Sequence, residues 1–281
     1  MPIHPDQDRG FNPETAAFLE DIYKRCNVAA RLAADPLAVV KRYGSVPDQE
    51  LAGLVCSILA FGSVGLIMRA CERALEPLGN NPAQSLDGMS VRDIRALWAD
   101  FQYRFCFPKD MAGILCAARR ARREHGSLEV LFLACGGSRP EGFLKALSLF
   151  VGRLREWSAE ASEGGIRPNL LPDPAEGSAC KRLFLYLRWM VRKDEIDLGA
   201  WSGLSTSSLI VPLDTHMAAT CRERLGFLPS RSRKAMPALR DALEVTRRFA
   251  VYSPDDPVRY DFALTRPGID PRPGDEVFGC R

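Results

Sequence analysis

Residues 179–194 read ACKRLFLYLRWMVRKD, and this stretch decides the fold. No Gly or Pro interrupts it, and its apolar positions form the wide face of a half-buried helix. Before it, Gly177-Ser178 is a small-residue turn. Residues 158–177 are rich in Ser, Glu, Gly and Pro, which predicts a flexible loop. After it, Pro212 interrupts the chain, and Asp214 can cap a short helix, THMAATCRERLG, that closes at Gly226.

The helical period continues outward. Asp48 can cap a helix carrying Leu51, Leu54, Val55, Ile58 and Leu59. The next helix starts near Val64 and ends before Gly79-Asn80-Asn81-Pro82, a turn signal. Ser90 and Asp93 open a third, and another runs from about Lys109 to Glu124 and stops at His125-Gly126. Phe143, Leu147, Val151, Leu154 and Trp157 mark a further amphipathic helix. Asp256-Pro257 reads as an N-cap and first helical residue. With no hairpin signal and no βαβ alternation, the expected fold is all-α.

Composition sets the outer bounds. The chain has 281 residues, 46% hydrophobic and 26% charged, with net charge +3. That is enough apolar material to offset chain entropy, so a disordered tail protein is excluded. No apolar run reaches the roughly 18–20 residues of a membrane span. The opening MPIHPDQDRG is too polar for a secretory signal. Nine cysteines are scattered without a CxxC pair. They read as reduced thiols of a cytoplasmic protein, and with three histidines they give no support for a metal site.

Three features carry chemistry. Lys181 falls in the first turn of its helix, where the macrodipole disfavours a cation by about 0.3–1 kcal/mol. That placement suits a lysine acting as a neutral amine, and equally a surface lysine whose stem packs and whose head reaches water. Asp214 is either a structural cap or a carboxylate fixed to steady a developing cation. His216, two residues on, is a candidate proton shuttle or a local hydrogen-bond partner. The third feature is basic clustering: RRARR at 119–123, and an excess of six positive charges between Lys181 and Arg248. Such clusters bind phosphate or form a solvated helix face.

Together these motifs resemble the helix-hairpin-helix DNA glycosylase superfamily, whose hairpin reads LPGxGxKT and whose catalytic motif reads VDxH. Gly177-Ser178-Ala179-Cys180-Lys181 falls on GxGxK, and IVPLDTHM (210–217) falls on the aspartate motif, close to its form in 8-oxoguanine glycosylases. DQELAGLVCSILAFGS (48–63) is similar to the endonuclease III helix ending in LLSAQ, and residues 101–126 to the segment that follows it. CKRLFLYLRWMVRKD, PLDTH and PDDPVRYDFAL are closer still to an uncharacterised bacterial branch. The chain departs from the pattern in several places. Glu176 stands at the motif's proline, Ala179 at its second glycine and Gly62 at the LLSAQ glutamine. Lys181 and Asp214 are 33 positions apart, and the four-cysteine iron–sulfur loop is missing, with Cys280 alone near the C-terminus.

The resemblance implies a two-lobed fold with a DNA-binding cleft. One lobe would be residues 46–195 with an insertion at about 129–175, the other residues 1–45 plus 196–281. It implies base-excision repair of damaged, candidate oxidised-purine, bases in double-stranded DNA by a nucleoid-associated monomer. Lys181 would be the Schiff-base nucleophile and Asp214 its electrostatic partner, with His216 auxiliary. Gly177, Ser178, Ala179 and Arg182 would bind phosphate. Phe61, Ser63, Tyr103 and Trp189 would wedge or stack, with Phe105 and Trp201 as further aromatic candidates. It implies no iron–sulfur cluster and allows a monovalent cation at the hairpin. The alternative is a non-catalytic nucleic-acid-binding protein on the same scaffold.

Overall fold

The computed structural model describes residues 10–138, 140–162, 164–230 and 236–278. The expectations for the N-terminal decapeptide before Gly10, for Cys280 and for the basic residues of 231–235 lie outside them. Among the described residues there is no strand, only isolated backbone bridges such as Tyr103–Cys106 and Ser178–Ala238. The all-α expectation therefore holds. The helices are α1 (Pro13–Cys26), α2 (Leu37–Val40), α3 (Val46–Leu59), α4 (Val64–Leu75), α5 (Pro82–Gly88), α6 (Val91–Leu97) and α7 (Pro108–His125). They continue with α8 (Leu128–Ala134), α9 (Phe143–Ser158), α10 (Lys181–Val191), α11 (Thr215–Glu223), α12 (Leu239–Ala250) and α13 (Asp261–Ile269). None is long and apolar enough to cross a membrane.

Local chemistry sets most of the boundaries. The Ser90 hydroxyl accepts from Asp93 N (3.2 Å) while the Asp93 carboxylate accepts from Ser90 N (2.9 Å), the reciprocal box expected of that pair. Gly126, with φ +86°, closes α7. Two starts differ from expectation. Ser45, not Asp48, caps α3, and the Asp48 carboxylate instead accepts from Ala83 N (2.8 Å) at the start of α5. Asp256 does not open the last helix, because its carboxylate is taken by Arg192 Nε at 2.7 Å. Helix α13 therefore starts at Asp261.

The buried apolar residues form one continuous cluster from Leu19 to Phe278. Within it α10 packs on α3, α7 on α9, and α13 on both α1 and α11. Helices α3 and α10 approach closely at Gly53, where a Cβ would stand 2.8 Å from Met190 Cε and 3.2 Å from the Tyr186 ring. Gly53→Val is accordingly expected to destabilise the protein by about 1–3 kcal/mol through overpacking, read as a lower urea midpoint at unchanged m-value. Buried Glu50 of α3 ties in the next layer. Its carboxylate accepts from Leu128 N (3.0 Å), Glu129 N (2.8 Å) and Trp201 Nε1 (2.8 Å). Burial raises this carboxyl's pKa, and the three donors oppose the rise.

The segment expected to be a flexible loop is irregular but fastened. Ile166, Leu170 and Leu171 are buried. Ser158 Oγ accepts from Ile166 N at 3.1 Å, and Arg155 donates to Leu171 O and to Glu176. Apolar residues inside a Gly/Pro-rich stretch, with one arginine from α9, supply the anchoring that composition alone hides.

Candidate functional site

A 3₁₀ turn, Pro174–Glu176, precedes the hairpin; the Asp173 carboxylate caps it by accepting from Ala175 N. Gly177 is left-handed at φ +76°, a conformation only glycine adopts without cost. Cys180, at φ +47°, is the residue from which α10 springs. Its buried thiol donates to Pro172 O at 3.5 Å, and burial pushes it up to about 12, so it carries no thiolate at neutral pH. Ser178 pairs with Ala238 just before α12, and Ser178 Oγ accepts from Cys180 N at 3.4 Å. Glu176, at the motif's proline, is held by Arg155 at 2.7 Å. Gly177, Ser178 and Ala179 thus form a turn braced from two sides.

Lys181 is the first residue of α10, half-buried, with no hydrogen bond or ion pair among the described residues. Asp214 caps α11, accepting from Met217 N at 2.8 Å, and is also half-buried. The chain leading to it is fixed by burial of Val211 and Leu213 and by the bond from Val211 N to Thr246 Oγ1 (3.0 Å). His216 is exposed and lies over the end of α13, its Nδ1 being 3.5 Å from where a Cβ on Gly268 would stand.

A buried acid that the sequence did not single out links their helices. Asp261 opens α13, is buried, and pairs with Arg188 of α10. Burial pushes the Asp261 carboxyl up and Arg188 pulls it down. Asp214 adds to the rise, and Lys181 opposes it. Lys181 and Asp214, far apart in sequence, therefore act on one buried carboxyl. A signal existed: Arg188 interrupts the apolar run LFLYLRWMV, and an arginine in a buried helix face requires a buried acid.

Several expected site residues sit elsewhere. Arg182 turns inward, donating to Ile58 O (2.6 Å) and Asn169 O and lying 5.1 Å over the Phe61 ring. Burial pulls its pKa down to about 10. It ties α10 to the end of α3 rather than facing a phosphate. Trp189 is fully buried and Trp201 is held by Glu50, so neither can enter a base stack. Phe61, Tyr103 and Phe105 gather beyond α3: Phe61 stacks on Phe105 at 4.1 Å, and Tyr103 Oη donates to Phe61 O at 2.5 Å. Tyr103 is buried there and Phe61 half-buried. Exposed at this edge are Gly62, Ser63 and Arg104, the last at φ +51°. Nothing in the local sequence pattern marks Arg104.

The basic clusters are partly neutralised. In RRARR, Arg120 pairs with Glu124 and Glu160, and Arg122 with Asp87, leaving Arg123 exposed. The excess of six charges after Lys181 includes Arg188 and Arg192, each of which pairs with Asp197 inside the stretch counted and with a further acid, Asp261 or Asp256, beyond it.

A family model described as a protein of unknown function (DUF2400) matches residues 35–270. The chain belongs to this family. No curated protein and no solved structure matches it. The DUF2400 segment holds Lys181, Arg188, Asp214 and Asp261. It leaves out α1 and the Asp275–Phe278 turn; α1 packs on α13, and Arg31, paired with Asp275, also donates to Asp270 O within the segment at 3.1 Å.

Proposed function

We propose that this DUF2400 protein is a DNA-lesion glycosylase with β-lyase activity, acting on a damaged base, with oxidised purines as the leading substrate class. One observation carries the reading: a lysine with no hydrogen bond or ion pair among the described residues begins α10, a carboxylate caps α11, and the two helices are tied together by the buried Arg188–Asp261 pair and the packing of α13 on α11. Residues 46–195 and the remainder would form two lobes about the duplex, and the protein would work as a monomer on chromosomal DNA. The damaged base is flipped out at an unstacking cost of a few kcal/mol, smallest for mispaired or damaged bases. As the glycosidic bond stretches, Asp214 stabilises positive charge growing on the sugar. The Lys181 amine forms a bond to C1′, and the base leaves with the bond's electrons and takes up a proton. Opening of the sugar ring and loss of the amine proton give an imine. Removal of a C2′ proton then expels the 3′ phosphate and nicks the strand.

Residues Gly62, Ser63 and Arg104, beside the Phe61 stack, form the edge best suited to meet the opened duplex, in place of Trp189 and Tyr103. A non-catalytic nucleic-acid-binding role is the second reading, favoured by Asp214 already serving as a helix cap. Borohydride trapping on duplexes carrying 8-oxoguanine, an abasic site, uracil or an oxidised pyrimidine separates the two. A covalent protein–DNA adduct on at least one substrate is expected. Salt-sensitive binding with no adduct and no base release on any of them would leave only the second reading.

A further inference from the structure

Helix α3 ends at Leu59, and the carbonyls of its last turn have no partners within the helix. One of them, Ile58 O, accepts from Arg182 Nη1 at 2.6 Å, which places a cation where a helix end carries partial negative charge. The same guanidinium lies 5.1 Å from the centre of the Phe61 ring, and its Nη2 donates to Asn169 O. Phe61 stacks on Phe105 at 4.1 Å. Phe105 O accepts in turn from Arg167 Nη1 at 3.3 Å, and Arg167 stands two residues before Asn169. These contacts close a ring. The start of α10, the end of α3, the 103–107 loop and residues 167–169 each touch the next.

The edge of Gly62, Ser63 and Arg104 hangs on this ring. Gly62 follows Phe61 at φ +111°, and a Cβ there would stand 2.7 Å from Arg104 Nη1 and 2.9 Å from Tyr103 Oη. Tyr103 Oη is itself bonded to Phe61 O. The edge therefore takes its place from Phe61 and Phe105. We propose that Arg182 is a positioning residue that fixes this duplex-facing edge relative to Lys181, its neighbour at the start of α10. The role in catalysis rests on the glycosylase reading of Lys181 and of the edge. Opening a duplex at one place and bonding to C1′ at another requires a set spacing between the two, and a misplacement of about 1 Å can cost about 10²-fold in rate. Lysine cannot stand in for Arg182, because an ammonium has no planar fork to reach two carbonyls while lying over a ring.

The first test needs no DNA. Phe61 N is bonded to Leu59 O at 2.7 Å, and Tyr103 and Cys106 exchange backbone bonds of 2.9 and 2.8 Å. Hydrogen exchange in peptides covering 59–64 and 102–107 therefore reports local opening of the ring. Arg182→Lys keeps the charge and loses the fork, and both peptides of the full chain should exchange about three- to tenfold faster, with α1 unchanged. Arg167→Lys enters the ring from the far side, since its own contacts are with Phe105, Phe107 and Asp110. It should speed exchange in 59–64 as well, and the double variant should fall short of the product of the two single effects. Unchanged exchange in 59–64 overturns the proposal, as does faster exchange that extends to α1, which marks general loosening. The second test uses the lesion that traps the parent protein. Arg182→Lys should form the adduct about tenfold more slowly at saturating DNA, with the Kd for undamaged duplex and its salt dependence unchanged. If Arg182→Lys traps as fast as the parent, while Arg182→Met binds duplex with a salt dependence shallower by about one charge, Arg182 is a phosphate contact and the proposal falls. If exchange responds but no lesion traps the parent protein, the glycosylase reading falls while Arg182 still sets the edge. If trapping occurs and exchange is unchanged, only the role of Arg182 falls.

Discussion

Lys181→Ala is expected to abolish the borohydride-stable adduct on every lesion that traps the parent protein, with no loss of folding stability beyond about 0.5 kcal/mol. The side chain is half-buried, has no hydrogen bond or ion pair among the described residues, and stands at the first position of α10. Its removal opens no cavity in the α3–α10 core. The amine is the only group asked to bond to C1′, so the covalent route has no partial substitute. Asp214 behaves differently, because it has a structural role and a proposed chemical one that two substitutions can separate. Asparagine caps a helix as well as aspartate does. Asp214→Asn should keep the bond from Met217 N and the melting temperature, and lose about 10²–10³ in single-turnover base release through the missing charge. Asp214→Ala should lose turnover similarly and, in addition, about 0.5–2 kcal/mol of stability. An undiminished adduct in Lys181→Ala would reassign the nucleophile, and full turnover in Asp214→Asn would reduce Asp214 to a cap.

What the sequence could show about this site follows from how local each contact is. The starts of α10 and α11, and the places of Lys181 and Asp214 on them, depend on residues within a few positions, and both were legible. The expectations for Arg182 and Trp189 fail for one reason. They too are seven positions apart, on the stripe of α10 next to the one bearing Lys181 and Arg188. A helix as apolar as LFLYLRWMV does not reveal which of two adjoining stripes meets α3. The structure turns the Arg182 stripe toward Ile58 and Phe61, which buries Trp189 and occupies the Arg182 guanidinium. Asp261 was out of reach because its partner lies 73 positions away, although Arg188 announced that some acid was needed. Distance along the chain also explains part of the charge excess: the stretch counted includes Asp194 and Asp197 but stops short of Asp256 and Asp261, the other carboxylates that pair with Arg192 and Arg188.

Arg188→Met is expected to cost about 3–5 kcal/mol of unfolding free energy at pH 7, the largest effect on stability of any single change considered. The methionine fills much of the volume, so the penalty is electrostatic. Asp261 loses its ion-pair partner while buried, and Asp197 retains only Arg192, at 3.1 Å. Both carboxyls already have their proton affinity raised by burial against the pull of Arg188. Without it they rise further above the unfolded value of about 3.9. An acid raised in the folded state holds its proton there more tightly than in the unfolded chain, so its cost appears as pH increases through its titration. The gap between Arg188→Met and the parent protein should therefore be widest at neutral pH and narrow as pH falls toward about 4. Adding Asp261→Asn should restore more than half of the lost stability, since the orphaned anion rather than the missing arginine dominates the penalty. Urea unfolding of the two single variants and the double variant at pH 7 and pH 4.5 measures this. Equal losses at both pH values, or simple addition of the two single effects, would mean that Arg188 stabilises the fold by packing alone.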